Sequence, residues 1–236
     1  MNKSYKILSR NQLKYIAMLL MFLDHFALAF LPENTPLWYV LRYVFGRSAF
    51  PIFCVLFVQG FFYTKRPVRH MIDCAVFALL SEIPYDGVVQ QGWYAQNVMF
   101  TWLLGFIMCH MMSYIFDTVK WSKACVYNGV VCLGFAFLAT VFCVDYMFVG
   151  IFCIYAVYMM MKVSDGNISV WELCLAVALI DGLASATVWT LPAVLLFAFY
   201  DTNKYEKQTV FQKYSFYAFY PLHLSVIALL NFFSFF

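Results

Sequence analysis

Charge is scarce in this 236-residue chain, where Lys, Arg, Asp and Glu together make up 11% of the residues. Soluble domains carry about 25%, and so little polar surface cannot cover a compact core of this length. A water-soluble globular domain is excluded on that ground. The four histidines include no HxxxH or HExxH pair, so no metal is expected. The eight cysteines (Cys54, Cys74, Cys109, Cys125, Cys132, Cys143, Cys153 and Cys174) form no CxxC pair and all sit in apolar stretches. They read as buried, unpaired thiols rather than a zinc ribbon or redox pair. Phosphate-cradling glycine loops, GxSxG and Ser-x-x-Lys are absent, as are repeats, low-complexity tracts and interdomain linkers. The chain therefore reads as a single domain over 1–236. Its net charge of +3 is small and its basic residues form no block, so nucleic acid is not an expected partner.

What is present is apolar: 64% of residues are hydrophobic, 21% aromatic, and the mean hydropathy is +0.77. One span needs about 20 apolar residues, and runs near 13–31, 37–63, 68–84, 95–116, 123–143, 146–162, 170–183, 185–200 and 213–235 alternate with short connectors. The expected fold is all-α, a polytopic transmembrane helical bundle of about nine spans. The connectors include Tyr85 to Tyr94 and a turn near Asp181-Gly182, which would make 170–200 two short helices or a re-entrant hairpin. Lys3, Lys6 and Arg10 ahead of a run ending Ala27-Leu28-Ala29 resemble a signal peptide, but Asp24 and His25 would be odd guests in one, and no cleavage is expected.

Positive charge sets the orientation. Lys3, Lys6, Arg10, Lys14, Lys65, Arg66, Arg69, Lys120, Lys123, Lys162, Lys204, Lys207 and Lys213 all fall on one side if the N-terminus is cytoplasmic. A multi-pass plasma-membrane protein with that topology follows. The other two cations, Arg42 and Arg47, lie inside the second run, where charged side chains usually face a cavity or a partner. At about 1.5 Å per helical residue, His25 lies roughly 16 Å from the cytoplasmic interface, and Arg47 and His223 each lie roughly 15 Å from an interface. Three polar residues on three helices thus meet near the midplane.

Pro51 and Pro221 leave the carbonyls of Arg47 and Tyr217 without their helical donors at the same depth. Histidine is suited to accept and return a proton near neutral pH, although a membrane histidine can equally be a helix–helix hydrogen bonder. Asp24 points about 100° away from His25 on a helix and is expected to serve a different partner. His70 and His110 are weaker candidates. Arg42 and Glu82 fall at similar depth and could form an ion pair. Asp86 and Asp145 belong to outer loops. Asn97 and Thr101 share a helical face with Gly105, as packing contacts or as the lining of a substrate opening.

Read together, several segments resemble the TraX family of membrane acetyltransferases. They are Leu13-Lys14-Tyr15-Ile16-Ala17-Met18 running to Asp24-His25, Leu41-Arg42, Gly46-Arg47-Ser48-Ala49-Phe50-Pro51-Ile52-Phe53 and Ser81-Glu82-Ile83-Pro84-Tyr85-Asp86. Asn97 to Thr101 with Gly105, and Phe216-Tyr217-Ala218-Phe219-Tyr220-Pro221-Leu222-His223-Leu224, complete the set. Lys14 and His25 also resemble the basic-residue–x10–His signature of the wider transmembrane acyltransferase superfamily. The stretch Asp145-Tyr146-Met147-Phe148 departs from a Tyr-Gly-like step in the family, and only Asp145 carries a role from it. The resemblance implies an integral membrane enzyme that takes acetyl groups from cytoplasmic acetyl-CoA and passes them to a hydroxyl or amine, on a peptide such as a pilin N-terminus or on a surface glycan. His25 would be the general base, Arg47 and His223 would stabilise the oxyanion, and Asp24 would organise the site. Lys14, Arg42, Glu82, Asn97, Thr101, Tyr220 and Asp145 are the expected binding residues. A small secondary transporter and a non-enzymatic membrane scaffold are the alternatives.

Overall fold

A computed structural model describes residues 7–90, 92–165, 168–185, 190, 192–201 and 209–234. Among them the structure is helical, with no strands beyond the isolated bridges Leu8–Tyr200 and Gln96–Val144. Nine helices follow one another: α1 (Arg10–Phe30), α2 (Pro36–Tyr63), α3 (Pro67–Val89), α4 (Val98–Thr118), α5 (Trp121–Val141), α6 (Met147–Val163), α7 (Val170–Ser185), α8 (Pro192–Ala198) and α9 (Val210–Ser234). They coincide with the nine apolar runs. Five of them (α1, α2, α4, α5 and α9) are long and apolar enough to cross a membrane. Their outer faces carry large apolar side chains, among them Leu19, Leu133, Phe137 and Leu229, as a lipid-facing surface requires. The protein is a multi-pass membrane protein.

Helix starts follow local chemistry. Ser9 and Gln12 form a reciprocal capping box on α1, with Ser9 N–H donating to Gln12 Oε1 at 2.8 Å and Gln12 N–H to Ser9 Oγ at 3.3 Å. Thr35 caps α2 ahead of Pro36, and Asn97 caps α4 by accepting the Met99 N–H at 3.0 Å. Two expected boundaries are corrected. Pro84 does not end α3, which runs on to Val89 and stops where Gln90 turns left-handed, so Asp86 is helical rather than in a loop. A proline removes one donor and one only, and neighbouring turns carry the helix past it. Asp181-Gly182 is not a turn either, because α7 continues to Ser185.

The segment from α7 through α8 does double back. Tyr200 pairs with Leu8, and the Asp201 N–H donates to the Leu8 carbonyl at 2.9 Å, which returns the chain to the end where α1 begins. Each of the first six helices runs opposite to its predecessor, so the bundle has two distinct ends. Arg10, Lys14, Lys65, Arg66, Arg69, Lys120, Lys123, Lys162 and Lys213 all fall at one of them, the basic end. Lys3, Lys6, Lys204 and Lys207 lie outside the described residues.

After its first turn, Pro36–Tyr39, α2 leaves the α-helical form. Val40–Gly46 forms a π-helix in which the Arg47 N–H reaches the Arg42 carbonyl five residues back. On an α-helix residues five apart point roughly 140° away from each other. The wider π turn brings Arg42 and Arg47 onto one side. Gly46 at its end packs against α1, where a Cβ would lie 2.2 Å from Asp24 Oδ1. Any side chain there would push the two helices apart.

Candidate functional site

Two cavities enter the bundle from opposite ends. The larger, about 1020 Å³, is lined at the basic end by Arg10, Lys14, Gln59, His70 and Lys213 and reaches inward to Met21, Asp24, His25, Phe50, Asp145, Tyr146 and Tyr220. Residues of α1 from Arg10 to His25 line it, a length of about 22 Å at 1.5 Å per residue, so it is a shaft. The smaller, about 250 Å³, is walled by Leu28, Arg42, Arg47, Tyr85, Val89, Tyr94, Cys143 and Met147 from the far ends of the same helices. Asp24, His25, Gly46, Asp145 and Tyr146 belong to both walls.

The two histidines meet at this junction. His25 Nδ1 and His223 Nε2 are 2.8 Å apart, and His223 Nδ1 is 2.7 Å from the Phe219 carbonyl oxygen. A carbonyl can only accept, so His223 donates from Nδ1 and, being neutral, offers its lone pair at Nε2. His25 must then donate from Nδ1. That leaves the lone pair of His25 on Nε2, on a side chain lining both cavities. Tyr220 stands edge-on to both rings, 6.1 Å from His25 and 5.6 Å from His223 between centroids.

Charges surround the pair. Arg42 Nη1 bonds Asp24 Oδ2 at 3.1 Å, so Asp24 serves a partner other than His25 and the expected Arg42–Glu82 pair does not form. The Arg47 guanidinium lies 6.0 Å from the Tyr43 ring and 5.9 Å from the Tyr146 ring, close enough to Asp24, Asp145 and Asp181 to feel their charges. It walls the small cavity with His25 but does not reach the shaft. In the α5–α6 turn, burial pushes the Asp145 carboxyl up to about 6, against the pull of the Arg47 guanidinium. Lys14 lines the shaft with its Nζ 4.8 Å above the Phe216 ring.

Glu82, Asn97 and Thr101 line neither cavity. Asn97 Nδ2 donates to the Ala78 carbonyl at 2.9 Å and to the Glu82 carboxylate, and Thr101 Oγ1 donates to the Asp145 carbonyl. A Cβ on Gly105 would lie 2.4 Å from Ile154 Cδ1. Of the two readings of that stripe, the structure takes the packing one, and it ties α4 to α3 and to the α5–α6 turn. His70, a weaker candidate by sequence, lines the shaft at its basic end, stacked on Phe106 at 4.7 Å and 3.2 Å from the Tyr217 hydroxyl.

Two residues near the junction escaped the sequence reading. Asp181, buried in α7, was hidden by the expected turn, although an acidic residue in an apolar run was signal enough. Tyr146 stands in the stretch that departs from the family's Tyr-Gly-like step, and the sequence assigns it no role of its own. Among the described residues no group of three or more His, Cys, Asp or Glu could hold a metal ion.

The TraX protein family matches residues 9–231. A relative named probable fimbrial assembly protein FimC, serogroup H1, from Dichelobacter nodosus is 33% identical over 78 residues, which span 33% of this chain and 32% of that protein's length. The chain thus covers about a third of that relative. No solved structure matches. With a family match running through α1 to α9 and taking in both histidines, this chain belongs to the TraX family.

Proposed function

We propose that the protein transfers an acetyl group from acetyl-CoA, held in the shaft, to an amine or hydroxyl that enters the small cavity from the other side. The observation that carries this reading is the shaft, which begins among cations and ends at a histidine whose tautomer is fixed. A molecule with a phosphate-rich head and a long thin arm fits that gradient. Arg10, Lys14 and Lys213 would meet the phosphates, and the apolar wall of Met18, Met21, Phe53 and Phe57 would take the arm. The basic end would face the cytoplasm of a plasma-membrane protein, with the N-terminus inside.

The chemistry follows from the proton inventory. His25 Nε2 takes the proton of the acceptor N–H or O–H as the acceptor atom attacks the thioester carbonyl carbon. His223 accepts the hydrogen bond from His25 Nδ1 and steadies the imidazolium that forms. With the thioester carbonyl at the junction of the two cavities, Arg47 in the small-cavity wall would meet the negative charge developing on its oxygen, and Arg42 would hold Asp24 in place beside it. Collapse of the tetrahedral intermediate breaks the carbon–sulfur bond, and the departing thiolate takes the proton back from His25. Products are the acetylated acceptor and CoA.

The fimbrial naming of the relative favours a pilin-like peptide N-terminus as acceptor, with a surface glycan as the second choice. Incubating native membranes with radiolabelled acetyl-CoA and identifying the labelled product tests the reading. Label in a peptide or glycan, absent when the protein is deleted, supports transfer. Cavities at both ends would also suit a transporter, which predicts no label in any macromolecule and no stabilisation by CoA.

A further inference from the structure

The two cavities approach each other at the α5–α6 turn, and that turn is backbone-strained. Cys143, Tyr146 and Met147 have φ of 51°, 62° and 40°, three side-chain-bearing residues in a region that favours glycine. Such conformations are unfavourable and persist where the surroundings over-determine them. Here Thr101 holds the Asp145 carbonyl, the Asp145 N–H donates to the Gln96 carbonyl at 2.8 Å, and the Tyr146 N–H donates to Asp145 Oδ1 at 3.0 Å. The result is one placement: the Tyr146 ring lies flat on Phe50, 3.8 Å between centroids and 12° between planes, and Phe50 lies 5.5 Å from Trp102. Phe50 and Trp102 line the shaft only, whereas Tyr146 is in the wall of both cavities.

We propose that Tyr146 is a positioning residue whose ring forms the partition between shaft and small cavity beside His25. Its task is to keep water from the acceptor side away from the thioester while leaving the acceptor a path to His25. The donor and acceptor labels rest on the function proposed above; the partition itself does not.

The test uses the full chain in native membrane vesicles and a positively charged, membrane-impermeant methanethiosulfonate reagent. Cys143 lines the small cavity, so its labelling reports that the reagent is on that side. Met21→Cys puts a thiol in the shaft alone, and labelling of each site is read by peptide mass spectrometry. With Tyr146 intact, Cys143 should label and the Met21→Cys thiol should not. Tyr146→Ala should raise the rate at the Met21→Cys thiol at least tenfold, and Tyr146→Phe should leave it unchanged. If Tyr146→Ala does not accumulate, Phe50→Leu removes the other half of the stack and should raise that rate severalfold. Equal rates with and without the ring would overturn the proposal. A second readout is release of CoA from acetyl-CoA without acceptor, expected to rise in Tyr146→Ala and not in Tyr146→Phe. A permeability change in a protein that never consumes acetyl-CoA would sink the acetyltransferase reading and leave the partition standing.

Discussion

Helices α1 and α5 are both 21 residues long and both apolar enough to span a bilayer, yet they are built for opposite purposes. Helix α1 carries Lys14, Asp24 and His25 within its length and lines both cavities. Helix α5 has a single charge, Lys123 in its first turn, and touches neither; its buried face is Ala124, Asn128, Cys132, Phe135, Ala136 and Ala139 against α4 and α6. A charge at membrane depth costs roughly 2.5–3.5 kcal/mol on insertion scales, so α5 is what a helix looks like when packing alone shapes it. The polar side chains of α1 persist because a wet cavity and partners on α2 and α9 receive them. On the proposed function the reacting groups lie on the α1–α2–α9 side and the turn facing it, and substitutions should separate along that line.

His25→Ala should give the largest effect, a loss of about 10²–10⁴-fold in acetyl transfer, the usual worth of a positioned base. Melting temperature should also fall, because His223 Nε2 loses its buried donor at a cost of about 1–3 kcal/mol, and a folded variant with full activity would end the base assignment. Gly46→Ala comes next. Its Cβ would collide with the Asp24 carboxylate, so the α1–α2 contact must open at a cost of about 1–3 kcal/mol, with activity falling as Asp24 and Arg42 shift. Unaltered melting and turnover would mean that the two helices are not held this closely.

Asn97→Ala sharpens the comparison from the other side. It leaves the Ala78 carbonyl, the Glu82 carboxylate and the Met99 N–H short of a partner in the interior, which costs about 1–3 kcal/mol. Turnover per folded molecule should stay near wild type, and a selective loss of activity at full stability would place Asn97 in the site after all. Gly134→Ala on α5 should be the mildest. Beyond its chain neighbours and the helix's own backbone, no atom of the described residues lies within 4 Å of the new methyl group, and Ala exceeds Gly in helix propensity by about 1 kcal/mol. A drop in melting temperature there would reveal a neighbour that the described residues do not show.

Much of this contrast was legible in the sequence, because hydropathy and depth are nearly one-dimensional. The helices of the described residues and the basic end follow from apolar runs and Lys/Arg placement, although only five of those helices are long and apolar enough to cross a membrane, and residue counting alone puts His25 and His223 at one level. Pairing was harder. Arg42 was set against Glu82 by depth, but the π-helix at Val40–Gly46 rotates Arg42 toward Asp24, and no 3.6-residue periodicity can anticipate an i+5 turn. The end of the third apolar run near residue 84 falls short for a related reason: α3 runs past Pro84 to Val89, and inside a bundle neighbouring helices carry a turn that an isolated helix would lose. Tyr146 was invisible because its role depends on a left-handed backbone, which tertiary hydrogen bonds impose and local propensity opposes.

The most direct test of the central claim is a structure of the protein bound to a non-hydrolysable thioether analogue of acetyl-CoA. The analogue should lie along α1, with its phosphates among Arg10, Lys14 and Lys213 and its carbonyl carbon beside His25 Nε2 at the junction of the two cavities. Binding elsewhere, or a shaft left unfilled at saturating analogue, would contradict it.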